Sequence, residues 1–112
     1  MKDTSVFLKH ILESIELIER YTDGISEDEF LNSVEKQDLV MRRLEIIGEA
    51  VRNIPVEFTE KHPAIEWKKA MAVRNILIHH YFGVDLEIIW DTVSVSLPKF
   101  KKQVQDLLSP ES

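Results

Sequence analysis

The stretch Val40–Pro55, VMRRLEIIGEAVRNIP, decides the fold. Val40, Leu44, Ile47, Val51 and Ile54 recur at steps of four, three, four and three. That spacing draws a narrow apolar seam along a helix, the kind that packs lengthwise against neighbours in a bundle. Arg42, Glu45, Glu49 and Arg52 trace a second stripe at steps of three, four and three. Their alternating signs suit mutually supporting ion pairs, each contributing about 0.2–0.5 kcal/mol. A solvated face is the plainer reading of that stripe, and a catalytic or partner-facing role competes with it. Pro55 stops the helix, because its ring removes an amide and clashes with the preceding turn. Asn32 or Ser33 can start it, so a long helix is expected over 34–54.

The helical period persists on both sides of this stretch. Upstream, Phe7, Ile11, Ser14, Ile15 and Ile18, widened by Leu8 and Leu12, form a first stripe. Asp3 or Thr4 can cap its start, and Thr22-Asp23-Gly24 supplies a stop. Ser26-Glu27-Asp28-Glu29 has the capping-box pattern and opens a short helix through Phe30 and Leu31. Downstream, 56–63 reads as one helical turn followed by a break at Pro63. Helical spacing resumes from Glu66 with Trp67, Ala70, Met71, Arg74, Leu77 and Ile78, and the run Ile76-Leu77-Ile78 is expected in the core. Gly83 marks another stop, and Asp85 caps a fresh apolar run that Pro98 must kink or restart. Phe100, Val104, Leu107 and Leu108 complete the last segment. Only VSVSL at 93–97 approaches strand alternation, and it lies inside a longer helix-compatible run. The expectation is an all-α, up-and-down bundle of four to five main helices, one domain over residues 1–112 with 109–112 as a frayed tail.

The composition narrows the function classes. A chain of 112 residues, 44% apolar and 30% charged, can bury one core without staples. It has no cysteine, which excludes a disulfide framework, a thiolate nucleophile and a cysteine zinc site, and fits a reducing compartment. Glu13, Glu16 and Glu19 interrupt the first apolar pattern, so it is neither a signal peptide nor a membrane span. A cytoplasmic protein with no membrane partner is expected. The net charge of −6 argues against a nucleic-acid coat protein. It leaves room for an RNA enzyme with a local basic patch, and positive charges do cluster at Arg42, Arg43 and Arg52, at Lys68, Lys69 and Arg74, and at Lys99, Lys101 and Lys102.

The chemistry concentrates in RNILIHHYFG, Arg74–Gly83. Arg74 offers a planar fork of permanently charged donors that fits a phosphate. His79 can take or give a proton near neutral pH. On a continuous helix Arg74 and Tyr81 share a stripe, while His79 lies roughly 140° round the axis from Arg74. The two can converge only if the helix frays near His79 or a second subunit supplies the complementary group. The plain alternative makes His79 and His80 helix-end residues, Arg74 the partner of an acid, and Tyr81 a rim residue. No glycine-rich phosphate loop, zinc-binding His-x3-His pair or nucleophile elbow is present. Adjacent His79 and His80 diverge on any regular backbone, so no metal site is expected. Cleavage of RNA without a metal fits the set, since the ribose 2′-hydroxyl brings its own nucleophile.

The same residues carry a resemblance. RNILIHHY matches Arg-x4-His-x-Tyr, and the chain resembles the HepT-like proteins of the HEPN superfamily of nucleases. MRRLEIIGEAVRNIP, HPAIEWKKAMAVRN and YFGVDLEIIWDTVSVSLP look like HepT segments in the same order and spacing, so the similarity runs from Val6 to Leu108. The resemblance implies a helical homodimer with a HEPN-like fold, acting as the toxin of a type VII toxin–antitoxin pair. It implies a metal-independent RNA endonuclease with no cofactor. It also implies a partner antitoxin, MntA, a minimal nucleotidyltransferase that moves AMP from ATP to the motif tyrosine. Carried onto this chain, Arg74 and His79 become the catalytic candidates and Tyr81 the modification site. Asn75 matches the common Arg-Asn form as a supporting residue. His80, a further RNA- or phosphate-binding candidate, departs from the small residue frequent at its position, and either substitutes for part of the function of His79 or obstructs the pocket. AMP on Tyr81 is then expected to add bulk and negative charge beside Arg74. A reading from a different class is a non-catalytic nucleotide-binding or scaffold subunit of a minimal nucleotidyltransferase complex.

Overall fold

Every regular element in the computed structural model, which describes residues 3–109, is helical. Residues 110–112 of the expected frayed tail lie outside the described residues. The elements are α1 (Thr4–Thr22), α2 (Glu27–Leu31), α3 (Val34–Arg52), α4 (Val56–Glu60) and α5 (Trp67–His79). A 3-10 turn at Tyr81–Gly83 leads into α6 (Leu86–Asp91), a π-helical segment (Thr92–Ser96) and α7 (Leu97–Leu108). The last three run on without a break, so four main helices make the expected all-α bundle.

Local chemistry sets the boundaries. Asp3 caps α1 by accepting from the Ser5 amide, which holds its carboxyl below the ordinary range. The α1 helix ends before Gly24, whose φ of 75° is left-handed and suited to glycine. Ser26 and Glu29 form both halves of the capping box. Ser33 caps α3 through the Lys36 amide, and Asp85 caps α6 through that of Glu87.

The disturbance expected at Pro98 takes the form of a restart, since α7 begins at Leu97 with Pro98 in its first turn. The backbone widens ahead of it, and the Leu97 amide donates to the Thr92 carbonyl five residues back. A wider turn accommodates a residue that has no amide to donate and whose ring crowds the carbonyl of the preceding turn.

The α3 helix lies between α1 and α5, and α7 packs against α1. The whole seam predicted on α3 is buried: Val40, Leu44, Ile47, Val51 and Ile54. It meets Leu8, Ile11, Ile15 and Ile18 of α1, Trp67 and Leu77 of α5, and Phe100 and Val104 of α7 in one cluster. Trp67 packs edge-on to Phe100 at 6.0 Å and donates its indole N–H to the His62 carbonyl. These contacts tie α5 to α7 and to the loop before it.

The apolar run Ile76-Leu77-Ile78 behaves differently from its expectation. Leu77 is buried, but Ile76 and Ile78 are 43% and 47% exposed. One α5 face packs on the bundle, and successive residues 100° apart cannot all occupy it. Among the described residues no helix is long and apolar enough to cross a membrane.

Candidate functional site

The site is built where α5 crosses α3. Gly48 makes the crossing close, since a Cβ there would lie 2.3 Å from Arg74 Cβ and 2.9 Å from the Ala70 carbonyl oxygen. That approach plants Arg74 against α3 with its side chain only 17% exposed. Glu49, the next residue, accepts from Arg74 Nε at 2.8 Å. Arg74 Nη1 donates to Asn75 Oδ1 at 3.0 Å. Two of the five N–H donors of the guanidinium are thus fixed, and the remaining three are left for a ligand. The fork opens on a groove of about 500 Å³ whose walls include Phe7, His10, Glu45, Ile46 and Ile78.

At the other end of α5 the helix stops at His79, and the His80 amide still donates to the Ile76 carbonyl. Both imidazoles are exposed, and neither takes part in a hydrogen bond or ion pair. His79 keeps its 140° separation from Arg74, so one chain does not bring the two together. Asn75, by contrast, is joined to Arg74 directly.

Tyr81 begins the 3-10 turn and points back to α3, where its hydroxyl donates to Asp38 Oδ1. As the chain advances from Arg74 to Tyr81, its α3 partner retreats from Glu49 to Asp38, so the two segments run antiparallel. Asp38 and Glu49 are about 16 Å apart along the axis at 1.5 Å per residue. The Tyr81 hydroxyl and the Arg74 guanidinium are thus anchored about three turns of α3 apart.

The polar stripe of α3 thus does more than face solvent. Arg42 pairs with Glu45 at 3.4 Å and Arg52 with Glu49 at 3.8 Å, as the alternating signs suggest. Glu49 and Asp38 also reach across to α5 and the turn after it. The distal cations are partly committed elsewhere: Lys99 and Lys69 to Glu66, and Lys101 to Glu19. Among the described residues no group of three His, Asp or Glu side chains is placed to hold a metal ion.

Comparison with known proteins places this architecture. The family model described as Ribonuclease HepT-like matches residues 11–107. The chain belongs to the HepT-like ribonuclease family. A Methanocaldococcus jannaschii protein named "Gamma-glutamylcyclotransferase and putative RNase" is 50% identical over 96% of this chain, which spans 48% of that protein. A "Putative RNase" of Caldanaerobacter subterraneus subsp. tengcongensis is 42% identical over 99% of both chains. A "Probable ribonuclease HepT" of Thermococcus cleftensis is 45% identical over 90% of this chain and 92% of its own. No solved structure matches.

Three residues of this HepT-like chain that the motif does not contain position those it does: Gly48, Glu49 and Asp38. Gly48 left a signal in the sequence, since a glycine inside a long helix loses about 1 kcal/mol relative to alanine and needs a packing reason. Asp38 left none, because its partner is 43 residues away. Its carboxylate, by accepting the phenolic proton, pushes the Tyr81 pKa up to about 12, with burial and the charge of Glu45 adding to the effect. Ultraviolet titration should therefore show Tyr81 ionising near 12, and in Asp38→Asn moving back toward the ordinary tyrosine range. The sign for stability follows from the same shift. The folded chain holds this proton more tightly than the unfolded one, so the contribution is complete below pH 10 and is lost as pH rises through 12. A Tyr81 titration indifferent to Asp38→Asn would contradict the contact.

Proposed function

We propose that this chain is the toxin of a type VII toxin–antitoxin pair, a metal-independent RNA endonuclease acting as a homodimer and silenced by AMP transfer to Tyr81 from an MntA-like antitoxin. The observation that carries the catalytic part is the state of the motif residues. Arg74 is clamped through two donors with three left over an open groove, while His79 on the same helix has a free imidazole. Membership of a ribonuclease family gives that arrangement its substrate.

Two copies set with their α5 helices across a two-fold axis would place Arg74 of one chain near His79 of the other. Exposed Ile76, Ile78 and Phe82 surround His79 in sequence and supply apolar surface for such a contact. In the shared cleft, the neutral His79 of one copy takes the proton from a ribose 2′-hydroxyl as O2′ attacks phosphorus. The bond from phosphorus to O5′ breaks, and the protonated His79 of the second copy gives O5′ a proton. The products are a 2′,3′-cyclic phosphate and a 5′-hydroxyl. Arg74 donates to the non-bridging oxygens, where negative charge grows, from a position that Glu49 and Asn75 have already fixed. His80, exposed beside His79, supports the RNA backbone.

Mixed dimers test the shared cleft. Because each cleavage uses His79 of both copies, a dimer refolded from one wild-type and one His79→Ala chain should cut at least about 100-fold more slowly than the wild-type dimer. A mixed dimer whose intact chain keeps its wild-type rate would rule out a site shared between chains.

A further inference from the structure

Tyr81 is one of two tyrosines, and its hydroxyl is hydrogen-bonded to a carboxylate. The surroundings of that bond are open and largely apolar. A shallow depression beside it is lined by Val34, Met41, Phe82 and Val84, with Val34 and Phe82 strongly exposed on its rim. Gln37, the other polar side chain there, is already engaged, its amide donating to the carbonyls of Phe30 and Leu31. Asp38 is therefore the base in direct contact with the phenol. It stands in the second turn of α3, a long helix packed against α1 and α5.

We propose that Asp38 is the proton acceptor for modification of Tyr81. This rests on the reading of Tyr81 as the residue that receives AMP. As Tyr81 Oη attacks the α-phosphorus of ATP, the Oη–P bond forms and the bond from that phosphorus to the bridging oxygen of the β-phosphate breaks. Pyrophosphate leaves, and the phenolic proton passes along the existing hydrogen bond to Asp38 Oδ1. The acceptor protein thus brings part of the catalytic machinery for its own modification.

The chemistry makes such a base necessary. A phenol ionising near 12 is almost wholly protonated at neutral pH and attacks poorly unless its proton is removed as the new bond forms. The charged groups acting on it are Asp38 and then Glu45, both on α3. From the segment that follows it meets Phe82, Val84 and Leu86, and the imidazoles of His79 and His80 just before it are exposed. Once the ester has formed, Oη has no proton to return. After Asp38 passes the proton on to solvent, the new phosphodiester charge faces the carboxylates of Asp38 and Glu45. Repulsion between like charges turns the side chain away from α3, and the 3-10 turn that directly follows His79 and His80 moves with it. The same carboxylate that accepts the proton thereby dislodges the product from its resting place.

The experiment follows AMP incorporation by intact mass and radiolabel. The wild type, Asp38→Asn and Tyr81→Phe are each incubated with an MntA-type nucleotidyltransferase, ATP and magnesium over a range of pH. The wild type should take up AMP and Tyr81→Phe should not. Asp38→Asn, with a melting temperature matching the wild type, should react at least about 100-fold more slowly at neutral pH. Its rate relative to the wild type should then climb about tenfold per pH unit below the phenol's pKa, because a phenolate needs no base. Taking the ratio at each pH cancels the transferase's own titration. Asp38→Asn modified at the wild-type rate would overturn the proposal. So would a deficit that stays constant with pH, which would make Asp38 an anchor only. A wild type that accepts no AMP, or a Tyr81→Phe chain labelled as strongly as the wild type, defeats the Tyr81 reading itself and Asp38's role with it. The control lanes separate that failure from the other two.

Discussion

His79→Ala lowers the rate of RNA cleavage by at least about 100-fold and leaves the fold intact. A positioned general acid or base contributes typically about 10²- to 10⁴-fold, and the proposed dimer uses His79 once in each role. The fold should not notice the change. His79 is the last residue of α5, its ring is exposed, and no hydrogen bond or ion pair holds it. Surface substitutions of that kind stay within about 0.5 kcal/mol. The check is a side-by-side measurement of melting temperature and cleavage of a labelled RNA. Cleavage retained at the wild-type rate in His79→Ala would remove the imidazole from the mechanism.

Gly48→Ala has the largest expected effect on stability. On helix propensity alone the substitution should help by about 1 kcal/mol, since α3 is long and regular. The crossing with α5 reverses the sign. The added methyl would sit 2.3 Å from Arg74 Cβ and 2.9 Å from the Ala70 carbonyl. Neither atom is the free end of a flexible side chain, so the helices must part. Overpacking of this kind costs about 1–3 kcal/mol, occasionally more, and separating the helices also loosens core contacts. A net loss near 2 kcal/mol lowers the melting temperature of a chain this size by about 10 °C. Cleavage should fall as well, because the same shift draws Arg74 away from Glu49. An unchanged or raised melting temperature would mean that α5 does not cross α3 at Gly48.

Much of this architecture could be read from the chain because its causes are local. The caps at Asp3, Ser26 and Ser33 act over two or three residues, and the α3 seam needs only one helical period. The exposure of Ile76 and Ile78 was hidden because an apolar run carries no record of which face meets the bundle. Pro98 announced a disturbance but not its form, since a wide turn and a kink both relieve the crowding. The motif itself stood out as polar residues against apolar ones. What holds it did not. Glu49 was legible as a member of a charged stripe, yet nothing in that stripe says that it reaches Arg74, 25 residues on. Asp38 lacked even that signal. Anchors of this kind depend on where two helices cross, and that is a property of the packed bundle.

The proposed cleavage needs Arg74 and His79 acting together without a metal, and one digestion shows whether they do. A short labelled RNA is incubated in EDTA with the wild type, Arg74→Ala and His79→Ala, and the new ends are identified. The predicted result is cleavage by the wild type alone, giving 2′,3′-cyclic phosphate and 5′-hydroxyl ends. Cleavage that EDTA abolishes, or that both variants retain, would contradict it.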